Sequence, residues 1–360
     1  MTGQHRIVVL GAGYAGLAAA RRLARAARDA HITVVDARAS FVERVRLHQY
    51  AAGQSIPEWD LRELLEPKRI RFVQAWAHRI EHKRVILDGA PDLEYDALIY
   101  ALGSTNDPGV EGVAEYAYSV ATPDGSEHLR TGAAGRIVVV GGGATGIELA
   151  AELAESRSDS RVLLLGSDEP ASWLSARARD HVRRVLERLG VEIRSDAKVI
   201  EVTPEGVRLA DGAVVGAAAT VWTAGFGVPE LARRSGLAVD GHGRVLTDET
   251  LRSISHPDVY AAGDAAVIAG PGGRELRMAC ATALPTGKYA ADAVVARLAG
   301  RAPRELRFRY FFQCISLGRR DGVIQFLHAD DSPGRTVLTG RTAAWFKEQI
   351  VRGAAGAARP

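Results

Sequence analysis

The sequence predicts an α/β protein in which two doubly wound, parallel-sheet units share one chain. Three observations carry this. Arg6 to Ala24 reads RIVVLGAGYAGLAAARRLA, and Arg136 to Ala154 reads RIVVVGGGATGIELAAELA. In each copy a short apolar run leads into G-x-G-x-x-G and then an Ala/Leu-rich helical pattern. A second apolar run follows each, His31-Ile32-Thr33-Val34-Val35-Asp36 and Arg161-Val162-Leu163-Leu164-Leu165. That is strand–helix–strand written twice, and such alternation implies parallel sheets.

The glycines of the motif have separate tasks. Gly11 and Gly141 permit the tight turn out of the strand. Gly13 and Gly143 let backbone approach a pyrophosphate, and Gly16 and Gly146 let helix and strand pack closely. The phosphates then sit at a helix N-terminus, where unpaired N–H groups and the helix dipole favour anions. In the first unit Asp36 stands 20 positions after Gly16, where a carboxylate takes ribose hydroxyls. In the second unit that position is Gly166, followed by Ser167 and Asp168. Neither an acid nor an arginine occupies it, so the expectation is weak discrimination between NADH and NADPH.

Composition narrows the classes. A chain of 360 residues suggests two or three domains. With 47% hydrophobic and 25% charged residues it reads as a soluble globular protein, expected in the cytoplasm. The net charge of +3 and the absence of a nucleic-acid motif speak against a nucleic-acid partner. Cys280 and Cys314 are the two cysteines, with no C-x-x-C spacing, so neither a disulfide framework nor a metal site is expected. Ile7 to Ala20 is better explained by its glycines than as a signal segment, and Gly212 to Pro229 better as a strand and loop than as a membrane span.

Between the two units, Phe72-Val73 and Val85-Ile86-Leu87 predict a hairpin or meander, and Tyr95 to Ser104 a buried strand ending in a small-residue turn. Asn106 to Gly112 reads as a linker. Similar turns recur at Val221-Trp222-Thr223-Ala224-Gly225 and at Val259-Tyr260-Ala261-Ala262-Gly263-Asp264, and Gly353 to Pro360 looks frayed.

The order GAGYAG, Asp36, YALGS, GGGATGIE, TAG, YAAGDAA resembles the pyridine-nucleotide–flavin oxidoreductases, the flavoproteins with two dinucleotide-binding domains. The resemblance covers roughly residues 5 to 300. It implies a discontinuous FAD domain (1–105 and 235–305), an inserted NAD(P)H domain (106–234) and a small α+β C-terminal segment (306–360). It assigns cofactor contacts to Gly11, Gly13, Tyr14, Ala15, Gly16, Asp36, Ala37, Arg46, Ala101, Gly103, Gly263, Asp264, Pro285 and Thr286 for FAD. For the nicotinamide dinucleotide it assigns Gly141, Gly143, Gly146, Gly166 and Gly225.

The disulfide reductases of the group carry C-x-x-x-x-C in the first domain, whereas the stretch here, FVERVRLHQYAAG, has no cysteine. The C-terminal FFQCISLGRRDGV and the Trp345-Phe346-Lys347 helix are more similar to type II NADH dehydrogenases. They are closer still to the small apoptosis-inducing-factor-like NAD(P)H:quinone reductases of the ferroptosis-suppressor type. That resemblance implies a quinone-type acceptor and makes Glu148 and Lys347 the catalytic candidates. One departure is the stretch ALPTGK at 283–288, which lacks the glutamine of the relatives' quinone motif. Pro285 and Thr286 are expected to open a helix whose N-terminus faces the flavin. Six arginines between Arg301 and Arg320, interleaved with Phe308, Tyr310, Phe311 and Phe312, leave room for peripheral attachment to the cytoplasmic membrane face. A homodimer is compatible with the resemblance. Two alternatives remain open, a reductase of a ferredoxin-like carrier and a redox-sensing flavoprotein that acts as a binding module.

Overall fold

The computed structural model describes residues 5–107, 109–132, 135–157 and 160–359. Met1–Gln4, Pro108 and Pro360, on which parts of the expected first domain, linker and tail fall, lie outside the described residues.

In chain order the elements that position the site are β1 (Arg6–Leu10), α1 (Tyr14–Ala26), β2 (His31–Asp36), α2 (Leu47–Ala51), β3 (Ile70–Gln74) and β4 (Ala97–Tyr100). They continue with β5 (Ala117–Ser119), β6 (Gly135–Val140), α3 (Ala144–Ser156), β7 (Ser160–Leu165), α4 (Ala176–Arg188), β8 (Glu192–Arg194), β9 (Ala219–Trp222) and β10 (Val259–Ala261). The C-terminal part adds α5 (Cys280–Leu298), β11 (Phe312–Ser316), β12 (Gly322–Leu327), β13 (Pro333–Thr339) and α6 (Gly340–Ala358).

Two five-stranded sheets result. The first has the order β10-β4-β1-β2-β3 and the second β5-β9-β6-β7-β8, and every pairing in both is parallel. Each sheet places its motif strand, β1 or β6, at the centre. These strands are buried on both faces, which explains why they read as unbroken Val/Ile/Leu runs. β10 enters the first sheet from more than 150 residues further along the chain than β4. The polypeptide therefore leaves the first sheet, builds the second and returns. Outgoing and returning connections run side by side, with Thr105–Asn106 pairing antiparallel to Phe226–Gly227. The first residue of the expected linker thus belongs to a two-stranded ribbon. The meander expected after Phe72 is present as a three-stranded antiparallel sheet over residues 76–94.

The C-terminal part is a three-stranded antiparallel sheet, β11-β12-β13, followed by α6. Two local expectations need correction. Gly353 to Ala358 is not frayed but is the end of α6. Ala355 and Ala358 are buried, and the Arg21 guanidinium donates to the carbonyls of Gly356 and Ala357 at 2.9 and 3.0 Å. An Ala-rich stretch has high helix propensity, and docking on α1 supplies the packing that holds its glycines in place. Pro285 does not open α5 either. The helix starts five residues earlier at Cys280, capped by Ala279, and Pro285 lies inside it. Thr282 anchors the early turn by donating its hydroxyl to the carbonyls of Arg277 and Ala279 at 2.7 and 2.8 Å. Proline is favoured in a first helical turn but tolerated further in where neighbours hold the backbone.

Candidate functional site

Both glycine turns show why no other residue fits. Gly11 has φ +98°, and a Cβ there would lie 2.4 Å from the Ala101 carbonyl oxygen. A Cβ on Gly16 would sit 1.8 Å from the Gly11 carbonyl oxygen. In the second unit Gly141 has φ +122°, and a Cβ on Gly146 would stand 1.9 Å from the Gly141 oxygen. Gly13 and Gly143, the N-caps of α1 and α3, face open space. The crowded glycines lock helix on strand, and the open ones leave room for a ligand over the first helical N–H groups.

Around the first turn the polar groups converge. Asp36 accepts the Ala12 N–H at 2.7 Å and the Arg38 N–H at 2.9 Å, which fixes its carboxylate at the end of β2. Ala37 follows it, with its carbonyl taking the Gln74 amide. Across the turn, Asp264 accepts the Ser104 hydroxyl at 2.7 Å through Oδ2, while Oδ1 is buried without a partner. Arg44 donates to the Ser104 carbonyl at 2.6 Å and lies against Gly103. Burial holds the Arg44 guanidinium below its usual range, and Asp264 partly offsets this. The Gly263 N–H donates to Thr286 Oγ1 at 3.1 Å, and Thr286 passes its own proton to the Thr282 carbonyl. Gly287 lets α5 meet α1, since a Cβ there would be 2.1 Å from the Ala15 carbonyl oxygen. The Tyr14 hydroxyl is also buried without a partner, and its burial pushes the phenol above its ordinary range.

Buried polar groups are normally satisfied, and the unpartnered Asp264 oxygen together with the open Gly13 cap leaves room for another molecule. A bound FAD suits these residues. The open Gly13 cap would suit its pyrophosphate, Asp36 would suit its ribose, and Asp264 Oδ1 has no protein partner.

Arg46 behaves differently from its neighbour Arg44. Its guanidinium bonds Glu43 at 2.8 Å and holds Glu348 of α6 through two bonds at 2.8 and 3.0 Å. Arg46 therefore ties the segment before α2 to the C-terminal helix, and Arg44 is the arginine that stands at Gly103 and Asp264.

Glu148 and Lys347, 199 positions apart in sequence, meet in the interior. Their side chains are in direct contact, and both are buried. The Ser316 N–H donates to Glu148 at 3.0 Å, and Lys347 Nζ lies 3.5 Å from Ser316 Oγ. His48 completes the group, with Nε2 3.4 Å from Ser316 Oγ and Nδ1 3.8 Å from Glu148 Oε2. Burial lowers Lys347 to about 7, with Arg46 adding to the effect and Glu348 opposing it. Burial also drives His48 well below its ordinary value, reinforced by Lys347, Arg319 and Arg46. These four residues come from α2, α3, β11 and α6, so the cluster pins three parts of the molecule together.

In the second unit Gly166 ends β7 against the Asp168 carbonyl, which a Cβ would approach to 2.7 Å. The acid nearest in sequence with defined partners is Glu169, which pairs with Arg183 and accepts the Ser195 hydroxyl at 3.2 Å. Gly225, φ +95°, turns beside Asp107. Burial raises both cysteine thiols, Cys314 to about 12, so they stay protonated and weakly nucleophilic at neutral pH. No group of His, Cys, Asp and Glu among the described residues could hold a metal.

Two parallel sheets, each with a glycine turn and an open helix N-terminus, define a protein with two dinucleotide sites. The chain belongs to the pyridine nucleotide-disulphide oxidoreductase family, whose model matches residues 5–287. It is 33% identical to an NADH dehydrogenase-like protein of Mycobacterium tuberculosis, with 96% of this chain and 92% of the relative covered. It is 29% identical to a type II NADH:quinone oxidoreductase of the same organism, covering 86% and 76%. Among solved structures it superimposes on NDH2 from Plasmodium falciparum in complex with NADH with a TM-score of 0.84. That match covers 97% of this chain and 94% of the other at 15% identity, a likeness of fold.

Proposed function

We infer that this chain is an FAD-dependent NAD(P)H oxidoreductase that delivers electrons to a quinone-type acceptor. The observation that carries the reading is the buried Glu148–Lys347 pair, set where the two dinucleotide units and the C-terminal segment meet. One of the relatives is a type II NADH:quinone oxidoreductase, which supports the acceptor class. The stretch FVERVRLHQYAAG, which lacks the cysteine pair of the disulfide reductases, argues against a disulfide as acceptor.

Bound FAD supplies hydride acceptance from the nicotinamide and onward two-electron transfer. The protein's task is placement and charge. In this reading Gly11, Gly13, Tyr14, Ala15, Gly16, Asp36, Ala37, Ala101, Gly103, Gly263 and Asp264 hold FAD, joined by Arg44. Thr286 braces the Gly263 turn. Pro285 sits beside it within α5, so the helix end that faces the site belongs to Cys280–Thr282. Arg46 acts through its hold on Glu348. Gly141, Gly143, Gly146, Gly166 and Gly225 shape the exchangeable nicotinamide site. The return of the chain at β10 supports a discontinuous FAD domain with the nicotinamide domain inserted.

Lys347 is suited to bring a proton to an acceptor oxygen as charge develops there, and Glu148 keeps that proton in the interior. Replacing Lys347 with Met tests this. Reoxidation of the NADH-reduced enzyme by a short-chain quinone is expected to slow by about a hundredfold, within the range for general acid catalysis, while reduction by NADH stays within about twofold. Equal loss in both half-reactions would overturn the assignment.

The C-terminal segment also supports peripheral contact with a lipid surface. Phe311 and Trp345 are 60% and 63% exposed, and Arg309 lies over the Phe311 ring at 5.0 Å. No helix of the described residues is long and apolar enough to cross a membrane. Aromatic side chains among arginines suit the headgroup region of an anionic bilayer. Co-sedimentation with anionic liposomes at low salt is the expected outcome, and its absence for the wild type removes the membrane reading. A homodimer is a separate matter, read directly by light scattering.

A further inference from the structure

We propose that His48 is a positioning residue for acceptor reduction: it hydrogen-bonds Ser316, stands beside the Glu148 carboxylate, and closes on that carboxylate when Lys347 gives up its proton.

The arrangement follows from donor and acceptor inventories. Protonated Lys347 Nζ, 3.5 Å from Ser316 Oγ, donates to that oxygen. The Ser316 hydroxyl proton then points to the other neighbour of that oxygen, His48 Nε2 at 3.4 Å. A neutral imidazole that accepts at Nε2 carries its proton on Nδ1. Nδ1 faces Glu148 Oε2 at 3.8 Å, and Glu148 Oε1 contacts Lys347 and takes the Ser316 N–H. In this arrangement donors point from Lys347 through Ser316 to His48, whose Nδ1 stands 3.8 Å from Glu148. Burial, with Lys347 of α6, Arg319 of the loop after β11 and Arg46 before α2, lowers His48 and favours the neutral imidazole, while Glu148 of α3 is an acid that faces it.

Proton accounting shows what this arrangement is for. Reduction of a quinone by NAD(P)H moves two electrons and one proton as hydride from the nicotinamide, and the second proton on the quinol comes from solvent. When Lys347 passes that second proton to the acceptor oxygen, its positive charge disappears. Glu148 is then a buried carboxylate stripped of its counter-charge, a costly state. A His48 Nδ1–H that closes the remaining gap to Oε2 offsets this, and Lys347 then recovers a proton from solvent. The inference rests on the quinone-reductase reading above and extends it to a residue that acts through Glu148.

Two measurements test it. Nitrogen-15 NMR of histidine-labelled holoprotein is expected to show His48 neutral, with the proton on Nδ1, across pH 5.5 to 8. Ser316→Ala should remove the hydrogen-bonded signature at Nε2. A His48 that titrates near its ordinary value, or carries its proton on Nε2, overturns the arrangement. In stopped-flow work, His48→Leu should slow reoxidation of the reduced enzyme by a short-chain quinone by about tenfold and raise its solvent isotope effect, with reduction by NADH unchanged. His48→Gln, whose amide oxygen can accept from Ser316, should recover part of the loss. Equal slowing of both half-reactions, or no slowing, contradicts the proposal. If quinone fails to reoxidise the wild type, the function reading has failed. If it reoxidises His48→Leu at the wild-type rate, this inference alone has failed.

Discussion

The two dinucleotide units are built to one plan and finished differently. Both centre the motif strand in a five-stranded parallel sheet, and both crowd the first and third glycines while leaving the middle one open. The first unit then gains fixed polar groups. Asp36 is locked by two backbone N–H groups, and Asp264, Arg44 and Ser104 form a second rim brought by distant parts of the chain. The second unit ends β7 in Gly166, pressed against the Asp168 carbonyl, and its acid Glu169 is already committed to Arg183 and Ser195. A site rich in preset partners retains its ligand, and one with few releases it, since preorganised hydrogen bonds carry the differential affinity. On the proposed reading, the same framework serves a resident cofactor in the first unit and an exchangeable co-substrate in the second.

The largest effect should come from filling the helix–strand contact of one unit at a time. Gly16→Val is expected to cost about 3 kcal/mol or more through overpacking, roughly a 150-fold loss of FAD affinity, and to yield colourless protein. Gly146→Val should give yellow protein that NADH no longer reduces. A colourless Gly146→Val protein would reverse the assignment of the units. Asp36→Asn is next, with FAD binding weakened by about 1–3 kcal/mol from a lost charged acceptor, measured by fluorescence titration of apoprotein.

A third effect is on stability. Because His48 has a folded value well below 6.5, the unfolded chain holds a proton that the folded one lacks throughout that interval. Stability contributed by this residue is present above pH 6.5 and falls by about 1.4 kcal/mol per pH unit below it. Denaturant titrations of wild type and His48→Gln should diverge on acidification, the variant keeping the flatter profile. The smallest effect concerns Gly166. The ratio of kcat/KM for NADH and NADPH should stay under about a hundredfold, some 3 kcal/mol, and a larger ratio would show that Glu169 or Arg183 already selects.

Features confined to one stretch of chain were legible in the sequence. The glycine turns, Asp36 and the strand before Asp264 each carry a local pattern with a physical cause. Glu148 and Lys347 could be named singly, through a family likeness, but nothing local says that they touch. No local pattern links His48 to Ser316, which stand 268 positions apart and meet only on folding. Arg44 and Arg46 differ only in which way a short turn aims them, and Arg46 was the one expected at the cofactor. Pro285 misled for the opposite reason, since a strong local signal was overruled by the cap that Ala279 and Thr282 build upstream.

The most direct test of the central claim is an anaerobic spectral titration of the purified protein. It should carry about one FAD per chain, lose its visible absorbance on addition of NADH or NADPH, and recover it when a short-chain quinone is added. A colourless protein that takes up no FAD, or a bound flavin that neither nicotinamide reduces, would contradict the account.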